Sequence, residues 1–151
     1  MATILEQVKN LEKLSESVIV EQMFKALKIA ENKVLEANKS QLSKGEDADG
    51  KEVGTYKKST EIFAAFDKPI RSKSEGSPYN FQWTGDFFDG FKLGINGDEA
   101  TILSNSLGSD SKLNFLTTNN LFGLNDENLK VIIRTEILPF IHKFARQTLK
   151  V

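Results

Sequence analysis

The dipeptide Asn96-Gly97 divides two runs in which apolar and polar residues alternate, and this arrangement constrains the fold most strongly. An Asn-Gly pair in such a setting is the strongest short-range indication of a β-hairpin. Apolar residues at every second position before the pair lie on one face of a strand. The residues of this buried face are Phe91, Leu93 and Ile95. Residues 100–104 (ATILS) provide the returning strand, so the sequence predicts a hairpin over 88–104.

Residues 1–40 are helical in character, because their apolar side chains recur every three or four positions. The first face consists of Ile4, Val8, Leu11 and Leu14. Ser15 can cap a second helix, although Val18 stands where a capping box would have Glu or Gln. We therefore expect a long N-terminal helix, kinked or divided near Ser15, whose main part over 17–40 is about 35 Å long. Part of so long a helix is expected to pack on another subunit, and a helical hairpin is the alternative.

Residues 125–151 carry the pattern of an amphipathic C-terminal helix. Asn125 is a good N-cap, and the two acidic residues that follow it suit the positive end of the helix dipole. The apolar face consists of Leu129, Ile132, Ile133, Ile137, Phe140, Ile141 and Phe144. Pro139 lies within this pattern, so we expect a kink there.

The glycine-rich segment 43–56 favours tight turns, above all at Asp49-Gly50. A calcium loop would need a third acidic position before the glycine and a closing Glu, and both are missing. We therefore expect a surface turn between extended segments.

A short helix is expected next, because Ser59 or Thr60 can cap it and Pro69 limits its end. Its apolar residues are Ile62, Phe63 and Phe66. Residues 71–78 lack periodicity, which is typical of a loop. Lys68, Arg71 and Lys73 make this region locally basic. A cluster of this size is more often solvated than bound to phosphate, and contact with DNA is the alternative.

The order of helix, turn region, short helix, hairpin and helix indicates an α+β fold in a single domain over 1–151. We divide it into a helical arm (1–40), a sheet region (41–124) and the C-terminal helix (125–151). The sheet region ends with a polar connection over residues 105–120.

Few residues suit catalysis or metal binding. The absence of cysteine excludes disulfides, thiol catalysis and cysteine-zinc sites. The only histidine, His142, has no acidic residue three or four positions away, and no serine lies in a nucleophile elbow. We therefore expect no enzyme activity, no cofactor and no metal site. The alternative is an enzyme whose site forms between subunits from His142 and a neighbour's carboxylate.

The charge balance gives no sign of a strongly basic nucleic-acid binder, since 20 basic and 21 acidic residues leave a net charge of −1. The N-terminus lacks the apolar run of a signal peptide, and no stretch has the roughly 18 apolar residues of a membrane span. We expect a protein that is made in the cytoplasm and does not enter a membrane.

Trp83 is the only tryptophan of a chain that has 11 phenylalanines and 2 tyrosines. A tryptophan before a turn is usually an anchor in a core or an interface. Base stacking is the alternative, but basic and aromatic residues are not interleaved around Trp83. We expect Trp83 to anchor the base of the hairpin.

Three stretches together resemble a known family: 41–56 (QLSKGEDADGKEVGTY), 84–93 (TGDFFDGFKL) and 121–133 (LFGLNDENLKVII). Their order is similar to that in small virion-morphogenesis proteins of tailed phages. These include the tail-completion or neck proteins of long-tailed phages and the morphogenesis protein of Mu-like phages. The similarity is greatest to proteins of Bacteroidales phages, including crAss-like phages, and it covers about residues 41–150.

The resemblance implies a structural virion protein without catalysis, which forms a ring of six or twelve copies in the phage neck or tail. It implies portal, neck or tail proteins as partners, with DNA passing through the channel. We expect the subunit interface to include Trp83, Phe87, Phe88, Phe91, Arg71 and Lys73. The alternative is a nucleic-acid-binding accessory protein of a phage or mobile element, acting through Lys68, Arg71 and Lys73.

Overall fold

A computed structural model describes residues 3–105 and 120–150 and has an α+β architecture, which confirms the predicted fold class. The helices are α1 (Ile4–Glu12), α2 (Glu16–Ile29), α3 (Glu31–Ser43), α4 (Lys58–Asp67), α5 (Asp86–Asp89), α6 (Asp126–Ile132) and α7 (Leu138–Leu149). The strands β1 (Phe91–Asn96) and β2 (Glu99–Ser104) form an antiparallel two-stranded sheet. Most of the predicted connection over 105–120 lies outside the described residues.

The predicted long N-terminal helix is wrong, because residues 3–43 form three short helices. α2 begins directly after Ser15, so the break expected there is confirmed. The helix expected over 17–40 is divided again at Ala30, where ψ is 9° instead of about −42°. The division lets α2 pack against α7 while α3 packs against α6 and β1. Alanine is the best helix former, so nothing in the local sequence predicts a break at this position.

The hairpin forms as predicted, but its turn is shifted by one residue. Asn96 still pairs with Glu99 in the ladder, so the two turn residues are Gly97 and Asp98. Of these two, only Gly97 has a positive φ, at 63°. A glycine with positive φ at the first turn position is typical of a type II′ turn, which matches the twist of the flanking strands.

The hairpin was expected to begin at Phe88, and this boundary is wrong, because β1 begins at Phe91. The preceding residues form the single helical turn α5, which starts after Gly85 in the left-handed region, with φ of 98°. Phe87 and Phe88 are neighbours and both buried, which a helical turn permits. A strand would point them to opposite faces.

Two buried amides of α3 hold the chain that leads into the C-terminal helix. Asn38 Nδ2 donates to the carbonyl of Gly123 at 2.7 Å. Gln41 Nε2 donates to the same carbonyl at 3.2 Å, and Gln41 Oε1 accepts from the N–H of Asn125 at 2.9 Å. The side chain of Asn125 caps α6, as predicted. The stretch 122–127 (FGLNDE) therefore has a structural role in this chain.

The C-terminal helix is modified before Pro139 by a π-helical segment, Ile133–Ile137. Proline has no N–H to donate to the carbonyl four residues earlier, and its ring displaces that carbonyl. A wider π turn is a common way to absorb such a mismatch. The chain remains helical from Asp126 to Leu149, close to the predicted limits.

The buried apolar side chains other than Ala30 form one cluster between the helices and the hairpin. Its members are Ala26, Val34, Leu35, Leu42, Phe81, Phe87, Phe88, Phe91, Leu93, Ile102, Leu121, Ile132 and Ile137. The cluster thus joins α2, α3, α5, both strands and the C-terminal helix, while α1 and α4 contribute no member.

Candidate functional site

Three of the predicted interface residues lie in the core of the single chain. Phe87, Phe88 and Phe91 are 4%, 7% and 6% exposed. Their ring centroids lie between 5.2 and 5.5 Å apart, the separation of stabilising aromatic pairs. The three rings fix the hairpin to the body of the subunit. Their contact with a neighbour stays a prediction, and this burial does not favour it.

Lys73 was expected on the surface of a basic loop, yet it is only 2% exposed. Its Nζ donates to the side-chain oxygen of Asn80 and to the carbonyl of Gln82, the latter at 2.9 Å. The ammonium group lies 5.3 Å from the ring centre of Tyr56 and 5.9 Å from that of Trp83. Both distances are within the range of cation–π attraction. Lys73 therefore ties its loop to the segment before α5 from the inside.

Burial lowers the pKa of Lys73 from 10.5 to about 8, and the positive charge of Arg71 adds to this shift. The carbonyl acceptors and the two rings favour the ammonium form and oppose the shift. An amine with such a pKa can serve as a general base, but this one is enclosed by the side chains that bind it. Its arrangement suits a structural cation better than a group that meets a substrate or DNA.

Trp83 is a half-buried anchor whose side chain holds the end of α4, and its anchoring of the hairpin base stays a prediction. Its Nε1 donates to Oδ2 of Asp67, the last residue of α4, at 2.6 Å. Its carbonyl accepts from the N–H of Ile70 at 3.0 Å. Arg71 follows directly and is exposed. Trp83 thus fixes the end of α4 and the residues after it in one orientation.

α4 presents an apolar surface to solvent, which we call the α4 face. The α4 face consists of Ile62, Phe63 and Phe66, and Ile70 is also exposed shortly after the helix ends. Phe66 is 82% exposed, and no residue of α4 is buried. Residues three and four apart on a helix are neighbours, so Ile62 and Phe66 form a continuous patch. Clustered apolar residues of this kind on a single chain mark an interaction site.

Positive charges border the α4 face. Lys57, Lys68 and Arg71 are exposed and form no ion pair within residues 3–105 and 120–150. The carboxylates of α4 are already hydrogen-bonded inside the subunit, and they belong to Glu61 and Asp67. The α4 face is therefore complementary to a partner that combines apolar side chains with unpaired carboxylates.

α1 exposes a second apolar surface, which we call the α1 face. The α1 face consists of Ile4, Leu5, Val8 and Leu11. Ile4 is 83% exposed, whereas Asn10 on the other side of the helix is buried. α1 packs against α7, and a capping box between Thr3 and Glu6 fixes its start. Asn10 is the one buried residue of α1, so both its apolar residues and most of its polar residues are exposed. An apolar side left exposed in this way is expected where another chain covers it.

A groove on α7 is lined by basic side chains. Its lining comprises Pro139, His142, Lys143, Arg146, Gln147 and Lys150. His142 is exposed on this helix face, where the sequence placed it. Among the described residues, no group of three or more His, Asp or Glu side chains could hold a metal ion. The positive charges of the groove can attract an anion such as a phosphate backbone.

The sequence pattern found the apolar residues of both faces apart from Leu5, but it did not show their exposure. Periodicity shows that residues share a side of a helix, and it does not show what covers that side. One indication was present for the α4 face, since basic residues flank it at both ends: Lys57 and Lys58 before it, Lys68 and Arg71 after it. Flanking charge of this kind is more typical of a solvent-facing patch than of a core helix.

Comparison of the chain with protein-family models, with curated proteins and with solved structures found no match. Within the part of the chain that the structure describes, no helix has the length and apolar character needed to cross a membrane.

Proposed function

We propose that this chain is a structural subunit that assembles with copies of itself through the α1 face and the α4 face. The observation that carries the proposal is the exposure of both faces, on two helices that contribute nothing to the core cluster. Burying apolar area is the main favourable term in protein association. The role is that of a building block without catalysis, cofactor or metal.

Two different faces on one chain favour a ring. When one face meets the other face of the next copy, the contacts are head to tail, and they close into a ring if the rotation allows it. The resemblance to tailed-phage virion-morphogenesis proteins supports a ring in the neck or tail. The portal, neck and tail proteins are then its partners, and the virion is its final location after assembly in the host cytoplasm. A copy number of six or twelve comes from the resemblance alone.

Electron microscopy of the purified protein tests the ring. We expect closed particles of uniform diameter with a central channel, because a fixed head-to-tail contact gives each copy the same rotation. Only isolated subunits at every protein concentration would contradict the proposed self-assembly. Two-fold dimers without larger particles would contradict the ring, although the chain would still associate with itself.

A nucleic-acid-binding accessory protein is a second candidate, and the basic groove on α7 favours it. The basic cluster near α4 that suggested DNA binding loses one member, because Lys73 is buried and cannot reach a phosphate. Exposed lysine and arginine side chains that neutralise phosphates release counterions, which makes the affinity for DNA fall steeply with salt.

Fluorescence anisotropy with a short DNA duplex at several salt concentrations tests this candidate. If α7 binds DNA, the double variant Lys143→Gln/Arg146→Gln should reduce the slope of log affinity against log salt by about 2. Lys25→Gln, an exposed lysine of α2, is the control and should leave the slope nearly unchanged. An equal slope for all three proteins would exclude the groove as the binding site.

A further inference from the structure

We propose that the α1 face of one copy packs on the α4 face of the next copy, as the repeating contact of the assembly. The occupant of the α4 face is thus a second copy of this chain. This inference rests on the proposed self-assembly and specifies which surfaces meet.

The two faces are matched in length and in pattern. α1 has 9 residues and α4 has 10 residues, so that each helix is about 14–15 Å long. Each carries a pair of large apolar residues one turn apart, Ile4 with Val8 and Ile62 with Phe66. Rows of side chains at this spacing are what pack into each other when two helices meet.

The α1 face carries one carboxylate, Glu12, that is complementary to the cations bordering the α4 face, and it also carries one cation, Lys9, four residues after Leu5. Glu12 lies four residues after Val8, on the same side of α1 as the α1 face. Glu12 forms no ion pair with any described residue. The α4 face is bordered by Lys68 and Arg71, which are also without an ion pair in the described chain. Docking of α1 on α4 would bring this carboxylate close to these cations.

The contact has to form between copies, because both faces are exposed in the single chain and are therefore not packed on each other. A contact between unlike faces leaves one α1 face and one α4 face free on every dimer. Such a dimer can add further copies at both ends until the ring closes.

Thiol cross-linking tests the contact directly, since the chain has no cysteine of its own. We would place one cysteine on each face with a conservative change, Val8→Cys on α1 and Ser59→Cys on α4. Ser59 is exposed and lies three residues before Ile62, on the side of the α4 face. Each single variant and their equimolar mixture would be treated with a short thiol-reactive cross-linker and separated by denaturing electrophoresis.

We expect covalent dimers in the mixture and none in either single variant. The double variant Val8→Cys/Ser59→Cys should give a ladder of higher multimers. Cross-linking of Val8→Cys with itself would show that α1 meets α1, and this result would overturn the proposal. Assembly of the mixture without any cross-link would also overturn it while leaving self-assembly intact, whereas a protein that is monomeric throughout would overturn both.

A charge exchange provides a second readout that does not depend on cysteine geometry. Glu12→Lys should weaken association about fivefold at low salt, because it meets like charges at the border of the α4 face. Mixing it with Lys68→Glu/Arg71→Glu should recover association between the two variants. The absence of any loss with Glu12→Lys would contradict the proposed placement of Glu12.

Discussion

At the scale of single residues, Lys73 shows how much a side chain can differ from its expected role. Its position in a polar stretch with Arg71 suggested a solvent-facing cation. The acceptors that enclose it, Asn80 and Gln82, come later in the chain, as does the ring of Trp83. Sequence spacing does not show that these groups converge on one ammonium, so its burial could not be predicted.

The free energy of unfolding should depend on pH because of Lys73. Because burial lowers its pKa in the folded protein to about 8, the unfolded chain binds more protons between about pH 8 and 10.5. The free energy of unfolding should therefore rise with pH, by about 1.5 kcal/mol between pH 8 and pH 9.5. Urea denaturation at these two pH values measures the change.

Lys73→Met should lack this rise, and Lys57→Met, which removes an exposed lysine, should retain it. The measurement stops at pH 9.5 because burial raises the pKa of Tyr56 above 10.0, and ionisation of this tyrosine at higher pH favours unfolding. An equal change in the wild type and in Lys73→Met would refute the account of the buried ammonium.

At the scale of elements, two predicted helix starts behave differently. Asn125 accepts a hydrogen bond from the N–H of Asn128 at 2.9 Å. Ser15 occupies the N-cap of α2 but makes no capping hydrogen bond, and its hydroxyl lies 3.1 Å from that of Ser17. A capping residue recognised in the sequence thus forms a side-chain hydrogen bond at the start of α6 but forms none at the start of α2.

Asn125→Ala should lower the free energy of unfolding by about 1 kcal/mol, since it leaves the N–H of Asn128 without its side-chain acceptor. Ser15→Ala is the matched control and should change stability by only a few tenths of a kcal/mol. Urea denaturation of the three proteins at neutral pH compares them. Equal losses for both variants would contradict the difference between the two caps.

The local elements were largely predictable, and the contacts between distant elements were not. Asn96-Gly97 predicted the hairpin, and Asn125 predicted the start of the C-terminal helix, because turn and cap preferences act over a few residues. The break at Ala30 accompanies the packing of α2 mainly on α7 and of α3 on α6 and β1, contacts that local sequence does not show. The side of α4 that faces solvent is likewise set by Trp83, 16 residues after Asp67.

At the scale of the whole molecule, the aromatic content divides into two roles. The phenylalanines of α5 and β1 fill the core, whereas Phe63 and Phe66 remain on the surface. The sequence assigned the interface to phenylalanines that lie in the core, Phe87, Phe88 and Phe91. Aromatic residues and arginine are enriched at the centres of protein interfaces, so Phe63, Phe66 and Arg71 are consistent with the proposed contact.

Sedimentation velocity of the wild type and of Ile62→Ser/Phe66→Ser tests the central claim, self-assembly through exposed helix faces, most directly. Because both side chains are exposed, the double variant should fold normally, with an unchanged circular dichroism spectrum. We predict a large discrete species for the wild type and mainly monomer for the variant at the same concentration. A wild type that remains monomeric, or a variant that sediments as fast as an assembled wild type, would contradict the account.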